Sequence, residues 1–453
     1  MRYYPRVQEP PPPPAPAAST APTSPPTSAS SPPPRKASLA RRIAGKLLAV
    51  SIGLVFAFVL AECGLRLAGV GREVFQRPDA TYGQVLIPGA TGWFTSEGRA
   101  WVSVNRDGFR DVAHPRQKPP GTLRVAVLGD SFVEALQVPR KDAFWSLLGD
   151  DLATCGHLAG RKVEMMSFGV SGYSTATELL LLRNRVWDWQ PDVVLLAFLT
   201  GNDVADNHPA LGAAASPFYR LDGDQLVLDT SRAHGLGTGG RAMLWLIRHS
   251  RVLQLVNQVR VNLRVCGKVG ACGEGLDVAR GELGLRNEIY LEPQDDTWRE
   301  AWRVTEKLVK TMHDEVVAHG ARFLMVTLTN SIQVHPDPAV REQFATRIGA
   351  PDLFYPDRRL ADFAAREHIP SLALAPIFAA RVAEDRRYYH GFPGPGLGTG
   401  HWNRDGHKLA ADSIAPWMCK SLGAVPTSPS PAAPAAPPAP PPSATPTPDA
   451  AQP

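Results

Sequence analysis

The chain has 453 residues, 44 of them proline, and a formal charge of +5, modest for that length. Part of the excess is a run without acids, Arg35, Lys36, Arg41, Arg42 and Lys46, directly ahead of an apolar stretch. It therefore reads as a topogenic flank and not as a nucleic-acid footprint, which needs a basic face on the folded domain.

In chain order, residues 1–38 come first and are dominated by Pro, Ala and Ser; the same composition returns over residues 424–453. Both segments have too little apolar side chain to offset the entropy of ordering and are expected to be disordered. What lies between is enough for a basic flank and membrane segment, residues 39–70, and one large single-core domain, residues 71–423. No internal repeat is found. From Leu47 to Ala61 there is no charge. That is short of the roughly 20 residues that span a bilayer, but Lys46 can snorkel, and CGLRL after Glu62 extends the helix, giving a membrane segment over residues 47–67. Val59-Leu60-Ala61 resembles a signal-peptidase site; the long Pro-rich leader favours an anchor over a cleaved signal. Glu62 ahead of Cys63 argues against a lipoprotein. With the positive flank retained in the cytoplasm, the bulk of the chain is expected on the far side of the membrane.

Residues 76–121 are mixed and turn-rich. Beyond them, short apolar runs at Leu123–Leu128, Val163–Ser167, Asp192–Leu199, Arg322–Leu328 and Ser371–Leu374 predict buried strands. Helical patterns alternate with them: one ending near Cys155, one through Trp187, then Trp298–His319, Arg358–Glu367 and Asp405–Leu422. Alternation of this kind means a parallel sheet covered on both faces, with ligands at the carboxyl ends of the strands. Residues 205–296 break the rhythm, being far longer than an ordinary connection. Within them Arg241–Arg264 has apolar residues at helical spacing with arginines between. A lid, a membrane-surface helix and extra packing are the readings open there; extra packing with lid character is favoured.

Five cysteines fit an exported domain. Cys266 and Cys272 bracket a small loop and suit a local disulfide. Cys155 and Cys419 end up on helices that can be neighbours on one face, so a bridge between them competes with two buried thiols. No cysteine or histidine spacing suits zinc, and no metal or cofactor is expected.

Three loops follow three strands. The first holds Gly129-Asp130-Ser131, a tight strand-to-helix turn that puts a hydroxyl at the sheet's carboxyl edge and its own N–H near a helix start, where an oxyanion is well placed; the plain alternative is a helix-capping serine. The second, Ser167 to Ser174, offers the N–H of Gly172. The third, Thr200-Gly201-Asn202-Asp203, offers the Asn202 amide. Near the end, His401-Trp402-Asn403-Arg404-Asp405-Gly406-His407 supplies a base: His401 falls just before the last helix, while His407 lies within it and is expected to be packed or solvated. The run Gly394–Gly400 does not suit a phosphate loop, since Pro393 and Pro395 fit neither a preceding strand nor a helix start.

Gly-Asp-Ser, a glycine loop, Gly-Asn-Asp and a histidine ahead of the last helix, in that order over roughly residues 124–422, resemble the four blocks of SGNH (GDSL-like) hydrolases. The resemblance implies a flavodoxin-like three-layer α/β/α sandwich, here preceded by one transmembrane helix, and a metal-free serine esterase or acylhydrolase. It implies Ser131 as nucleophile and His401 as base, with the Ser131 N–H, Gly172 N–H and Asn202 amide as oxyanion hole. The substrate class implied is an ester-bearing small molecule or acylated glycan; a glycan O-acyltransferase and a catalytically impaired binding domain are the alternatives. In one respect the chain departs from the family, which usually carries an aspartate three residues before the histidine, where this chain has Gly398. Three accounts follow: a backbone carbonyl holds His401 in a Ser-His dyad, another carboxylate such as Asp385 reaches it, or the domain is catalytically weak.

Overall fold

The computed structural model describes residues 39–71, 73–158, 160–212, 215–269, 285–393 and 396–423. The two Pro-rich ends and Cys272, with the local disulfide expected there, lie outside the described residues. The chain divides into two compact units, residues 1–60 and residues 61–453.

Helix α1, Leu39–Leu67, is a single helix of 29 residues, long and apolar enough to cross a membrane. The expected extension through CGLRL is present: the helix continues past Glu62 and Cys63.

In the second unit, four short strands come first: β1 (Gln76–Asp79), β2 (Gly83–Leu86), β3 (Thr91–Phe94) and β4 (Ala100–Ser103), paired β1–β2 and β3–β4. Then the expected alternation begins. It runs β5 (Thr122–Gly129), α2 (Ser131–Glu134), α3 (Phe144–Leu152), β6 (Lys162–Ser167), α4 (Thr175–Asn184), β7 (Val193–Leu199) and α5 (Asp203–Asp206). The insertion follows, with β8 (Phe218–Asp222), β9 (Gln225–Asp229), α6 (Thr238–His249) and α7 (Arg251–Val269). The alternation resumes with α8 (Asp296–Ala318), β10 (Arg322–Leu328), α9 (Pro338–Ile348), α10 (Tyr355–Arg366), β11 (Ser371–Ala373) and α11 (Leu374–Asp385). A hairpin of β12 (His390–Phe392) and β13 (Gly396–Trp402) leads into α12 (Arg404–Gly423).

The five central strands pair in the order β11-β10-β7-β5-β6, all parallel. This is the flavodoxin-like order, a three-layer α/β/α sandwich. Every residue of β5 and β7 is buried, as strands covered on both faces should be. Their side chains alternate between two cores. Ala126, Leu128, Val194, Leu196 and Phe198 join α4, α8 and α10 on one face. Val125, Val127, Leu195, Ala197 and Leu199 join α3, α11 and α12 on the other. On that second face α3 and α12 are neighbours, and Cys155 is disulfide-bonded to Cys419, with Cα atoms 5.8 Å apart. The bridge closes a loop of 264 positions between the first and last helices of that layer.

The strand order reverses between β5 and β7. In open parallel sheets the crevice outside the carboxyl ends at such a point is where ligands sit. Ser131 follows β5 and Asn202 follows β7, so the topology alone puts both beside that crevice.

Candidate active site

Ser131 opens α2. Asp130 is the N-cap, its Oδ1 accepting from the Phe132 N–H at 2.9 Å, which holds the turn so that the Ser131 hydroxyl clears the sheet. At the other end of α2 the buried Arg110 donates to the carbonyls of Glu134 (3.0 Å), Ala135 and Val138. Three carbonyl acceptors offset the burial that lowers the Arg110 guanidinium to about 10. The serine turn is thus braced from both sides.

His401 comes from β13, at the end of a strand and not on a loop. Its Nε2 is 2.8 Å from Ser131 Oγ, hydrogen-bond distance for a base and its nucleophile. Its Nδ1 is 2.5 Å from Glu97 Oε2, and its backbone N–H donates to Glu97 Oε1 at 2.6 Å. Glu97 therefore grips the histidine twice, by ring and by main chain, and fixes the ring's rotation about χ1 and χ2. Burial acts to raise the Glu97 carboxyl, but the charge on His401 and the hydrogen bonds to it prevail, and it stays below the ordinary glutamate value. The carboxylate is ionised wherever the histidine is needed.

This places the acid where no reading of the histidine block looks for it. Glu97 sits in the turn between β3 and β4, 304 positions before His401. Gly98 makes the placement possible: its φ is +66, and a Cβ there would lie 2.5 Å from the Gln137 carbonyl and 2.9 Å from the Phe392 ring. Only a residue without a side chain lets the turn press this close. Three residues before His401, Gly398 has φ +84, and a Cβ would lie 2.7 Å from the His335 ring and 2.9 Å from Tyr388. That position is closed to an aspartate. Asp385 is not the substitute: its carboxylate takes the Tyr389 hydroxyl at 2.6 Å and the Arg387 N–H at 3.0 Å. Nδ1 is held by the Glu97 carboxylate, where the dyad reading expected a backbone carbonyl.

A second histidine, His390, braces the strand that carries His401. The Trp402 indole donates to Thr329 Oγ1 at 2.7 Å, Thr329 Oγ1 lies 2.7 Å from His390 Nε2, and His390 Nδ1 lies 2.6 Å from the Gly400 carbonyl. Burial lowers His390 to about 4, so the ring is neutral, and this chain of bonds requires the proton on Nδ1. The residues on both sides of His401 are thereby tied to the core. Of the two readings for His407, packed or solvated, the structure shows it packed, its Nδ1 accepting from the Phe144 N–H at 3.2 Å.

Of the expected oxyanion donors, Asn202 lines the same recess as Ser131 and His401, with Nδ2 3.4 Å from Asp130 Oδ2. Gly172 is not itself in the lining, whereas Ser171 is. The loop is held by Glu134, whose Oε2 accepts from the Ser171 N–H at 3.0 Å and from its hydroxyl, while Gln76 donates to Oε1 at 3.1 Å. Among the described residues no acceptor takes the Gly172 N–H, and Ser131 N, in the first turn of α2, has none within the helix. Burial raises the carboxyls of Asp130, Glu178 and Asp203 around this floor, Glu178 and Asp203 well above their ordinary values. A floor leaning toward neutral acids spares an oxyanion like-charge repulsion.

The recess has a volume of about 610 Å³ and is walled by polar groups around the serine, among them Ser96, Gln137, Asp206 and Thr399, with Phe94, Leu136 and Leu199 between them. Through Phe94, Ser96, Gln76 and Leu136 it adjoins a second recess reaching Glu73 and Trp93.

No family model matches the chain, and no curated protein matches it in sequence. Among solved structures, a lipase/acylhydrolase from Enterococcus faecalis is 12% identical over 66% of this chain and 96% of its own, with a TM-score of 0.31. A lipase from a goat rumen metagenome is 12% identical over 66% of this chain and 99% of its own, with a TM-score of 0.34. An acetyl xylan esterase is 13% identical over 64% of this chain and 98% of its own, with a TM-score of 0.30.

Proposed function

We propose that the chain is a membrane-anchored serine esterase or acylhydrolase working through a Ser131–His401–Glu97 triad. The observation that carries the reading is the unbroken chain from Ser131 Oγ to His401 Nε2 at 2.8 Å and from His401 Nδ1 to Glu97 Oε2 at 2.5 Å. A serine hydroxyl becomes a nucleophile at neutral pH only when a base takes its proton, and the base works only in the right tautomer. Glu97 accepts from Nδ1, so Nε2 is left with its lone pair toward Ser131.

In the first half-reaction Ser131 Oγ attacks the ester carbonyl carbon as its proton passes to His401 Nε2. The tetrahedral oxyanion is received by the Ser131 N–H and the Asn202 amide, donors of a kind worth about 3 kcal/mol each. Collapse breaks the bond to the alkoxy oxygen, which takes the proton from His401 and leaves as alcohol. In the second half water gives its proton to His401, attacks the acyl-serine carbonyl, and releases the acid as Oγ regains the proton. Glu97 holds its charge opposite the imidazolium in both halves.

The basic flank ahead of the apolar stretch of α1 supports an N-terminus in the cytoplasm with the catalytic domain outside. The Cys155–Cys419 disulfide supports an oxidising compartment for that domain. Turnover of 4-nitrophenyl acetate by the full chain in detergent tests the reading. A burst of nitrophenol equal to the enzyme, absent in Ser131→Ala with an unchanged circular dichroism spectrum, is expected. Equal turnover in that variant rules the reading out.

A further inference from the structure

The insertion carries two helices whose surface is not that of a domain packed only against itself. From Thr238 to Val269 there is no acid, and there are six basic residues, Arg241, Arg248, Arg251, Arg260, Arg264 and Lys268. Between them Trp245 is 59% exposed and Val256 57%, and Met243, Val259 and Leu263 are exposed as well. On α7 the exposed apolar positions 255, 256, 259 and 263 fall on one helical face. Basic, Trp- and Leu-bearing helices without acids have the composition of helices that lie in a membrane interface.

Where these helices are fastened identifies what covers them. Glu62, the first charged residue after the apolar stretch of α1, caps the start of α7. Its Oε1 accepts from the Arg251 N–H at 3.0 Å, and its Oε2 accepts from the Val252 N–H at 3.1 Å and the Ser250 hydroxyl at 2.9 Å. Arg66, one turn on, donates to the His249 carbonyl at the end of α6 at 2.7 Å. The α6–α7 corner is therefore fixed to Glu62 and Arg66, in the last turns of α1. Beside it Trp93 and Trp101, packed edge to face and each about half exposed, share a recess with Arg66 and Arg251. Tryptophan and arginine at one level are what a membrane–water boundary selects.

We propose that α6, α7 and the Trp93–Trp101 pair form a second membrane contact, seated among anionic lipid headgroups of the bilayer that α1 enters. The proposal rests on the reading of α1 as a membrane anchor, and the experiment separates the two. The full chain, with Cys63, Cys266 and Cys272 replaced by Ser and the Cys155–Cys419 bridge kept, is reconstituted in phosphatidylcholine–phosphatidylglycerol vesicles. A nitroxide is placed in turn at Met243, Val256 and Val259, at Leu54 within α1, and at the exposed Val227 on β9. Collision with oxygen, which partitions into lipid, is compared with collision with a water-soluble nickel chelate. At Met243, Val256 and Val259 the oxygen-to-nickel ratio is expected to exceed that at Val227 by about threefold or more, and to fall when phosphatidylglycerol is left out, as interfacial helices with a basic face require. Leu54 in lipid with all three sites as wet as Val227 overturns the proposal and leaves the anchor standing. Leu54 in water overturns both. Wet sites with spin–spin broadening between labels at Val256 overturn it in favour of a second copy of the chain.

Discussion

Replacing Glu97 by Gln keeps the size of the side chain and removes only its charge and one acceptor. In the native site both carboxylate oxygens accept, one from His401 Nδ1 at 2.5 Å and one from its backbone N–H at 2.6 Å. A glutamine has one acceptor for these two donors. If its oxygen stays on the main chain, its NH2 faces Nδ1 and drives the ring to the tautomer with the proton on Nε2, which cannot take a proton from Ser131. If it flips, two N–H groups confront each other, at a cost of about 1–3 kcal/mol. In either pose the imidazolium formed during acyl transfer loses its counter-charge. At roughly 4 Å between charge centres and an effective dielectric of 20, that is about 4 kcal/mol, a factor of about 10³ in rate. The expected result for Glu97→Gln is a fall in kcat of about 10³- to 10⁴-fold, the range of the wrong-tautomer effect in serine-protease triads. KM should change far less than kcat, because both Glu97 carboxylate oxygens are engaged by His401. Steady-state hydrolysis of 4-nitrophenyl acetate measures both constants. A loss of less than about tenfold would refute the assignment, since tautomer and charge together leave no route to so small an effect.

Three further expectations follow from the same structure. Adding Gly398→Asp to Glu97→Gln should restore no activity and should cost stability of about 1–3 kcal/mol in urea unfolding, because the left-handed backbone and the crowding by His335 and Tyr388 shut the usual acid position; recovery of turnover would show that the position is open. Asp357, buried and pushed up to about 7, remains protonated in the fold at pH values where an unfolded aspartate, near 3.8, is ionised. Stability should therefore fall as pH rises across that window by about 1.4 kcal/mol per unit, and Asp357→Asn should gain about 2–3 kcal/mol more at pH 8 than at pH 5; an equal effect at both pH values would contradict this. Replacing Cys155 and Cys419 together by Ser should lower stability by about 3–5 kcal/mol, as expected for so long a closed loop, while leaving turnover at 25 °C in place; an unchanged urea midpoint would speak against the bridge.

The strands, their parallel direction and the positions of Ser131 and Asn202 were legible because each depends on local pattern, whereas His401, expected on a loop, lies at the end of β13. Apolar runs of strand length, turn glycines and helical periodicity are short-range signals, and the ends of successive parallel strands meet at one edge whatever the loops do. The helix through CGLRL followed from the same periodicity, while of the two readings open for Cys155 and Cys419 the structure shows the bridge. Glu97 was not legible. It lies in a hairpin turn among residues whose mixed composition gives no sign of what they face, and only the packing of Gly98 against Gln137 and Phe392 brings it to His401. The sequence showed that the usual aspartate was absent, and it offered Asp385 because that carboxylate is near in the chain. Proximity along the chain is a poor guide when a hairpin from the other end of the domain closes over the site. Arg110 and His390 were missed for the same reason: their partners are main-chain carbonyls and a threonine 61 positions away, which no motif records. An Asn-Arg-Asp-Gly turn followed by Phe-Arg, and a histidine heading a short strand, were the only traces.

The most direct test of the triad is fluorophosphonate labelling of the full chain, with the modified peptide mapped by mass spectrometry in the native protein and in Ser131→Ala, His401→Ala and Glu97→Gln. Labelling confined to Ser131, abolished without His401 and slowed about 10³-fold in Glu97→Gln, is what the account predicts. Labelling at another residue, or at Ser131 with native speed in Glu97→Gln, would contradict it.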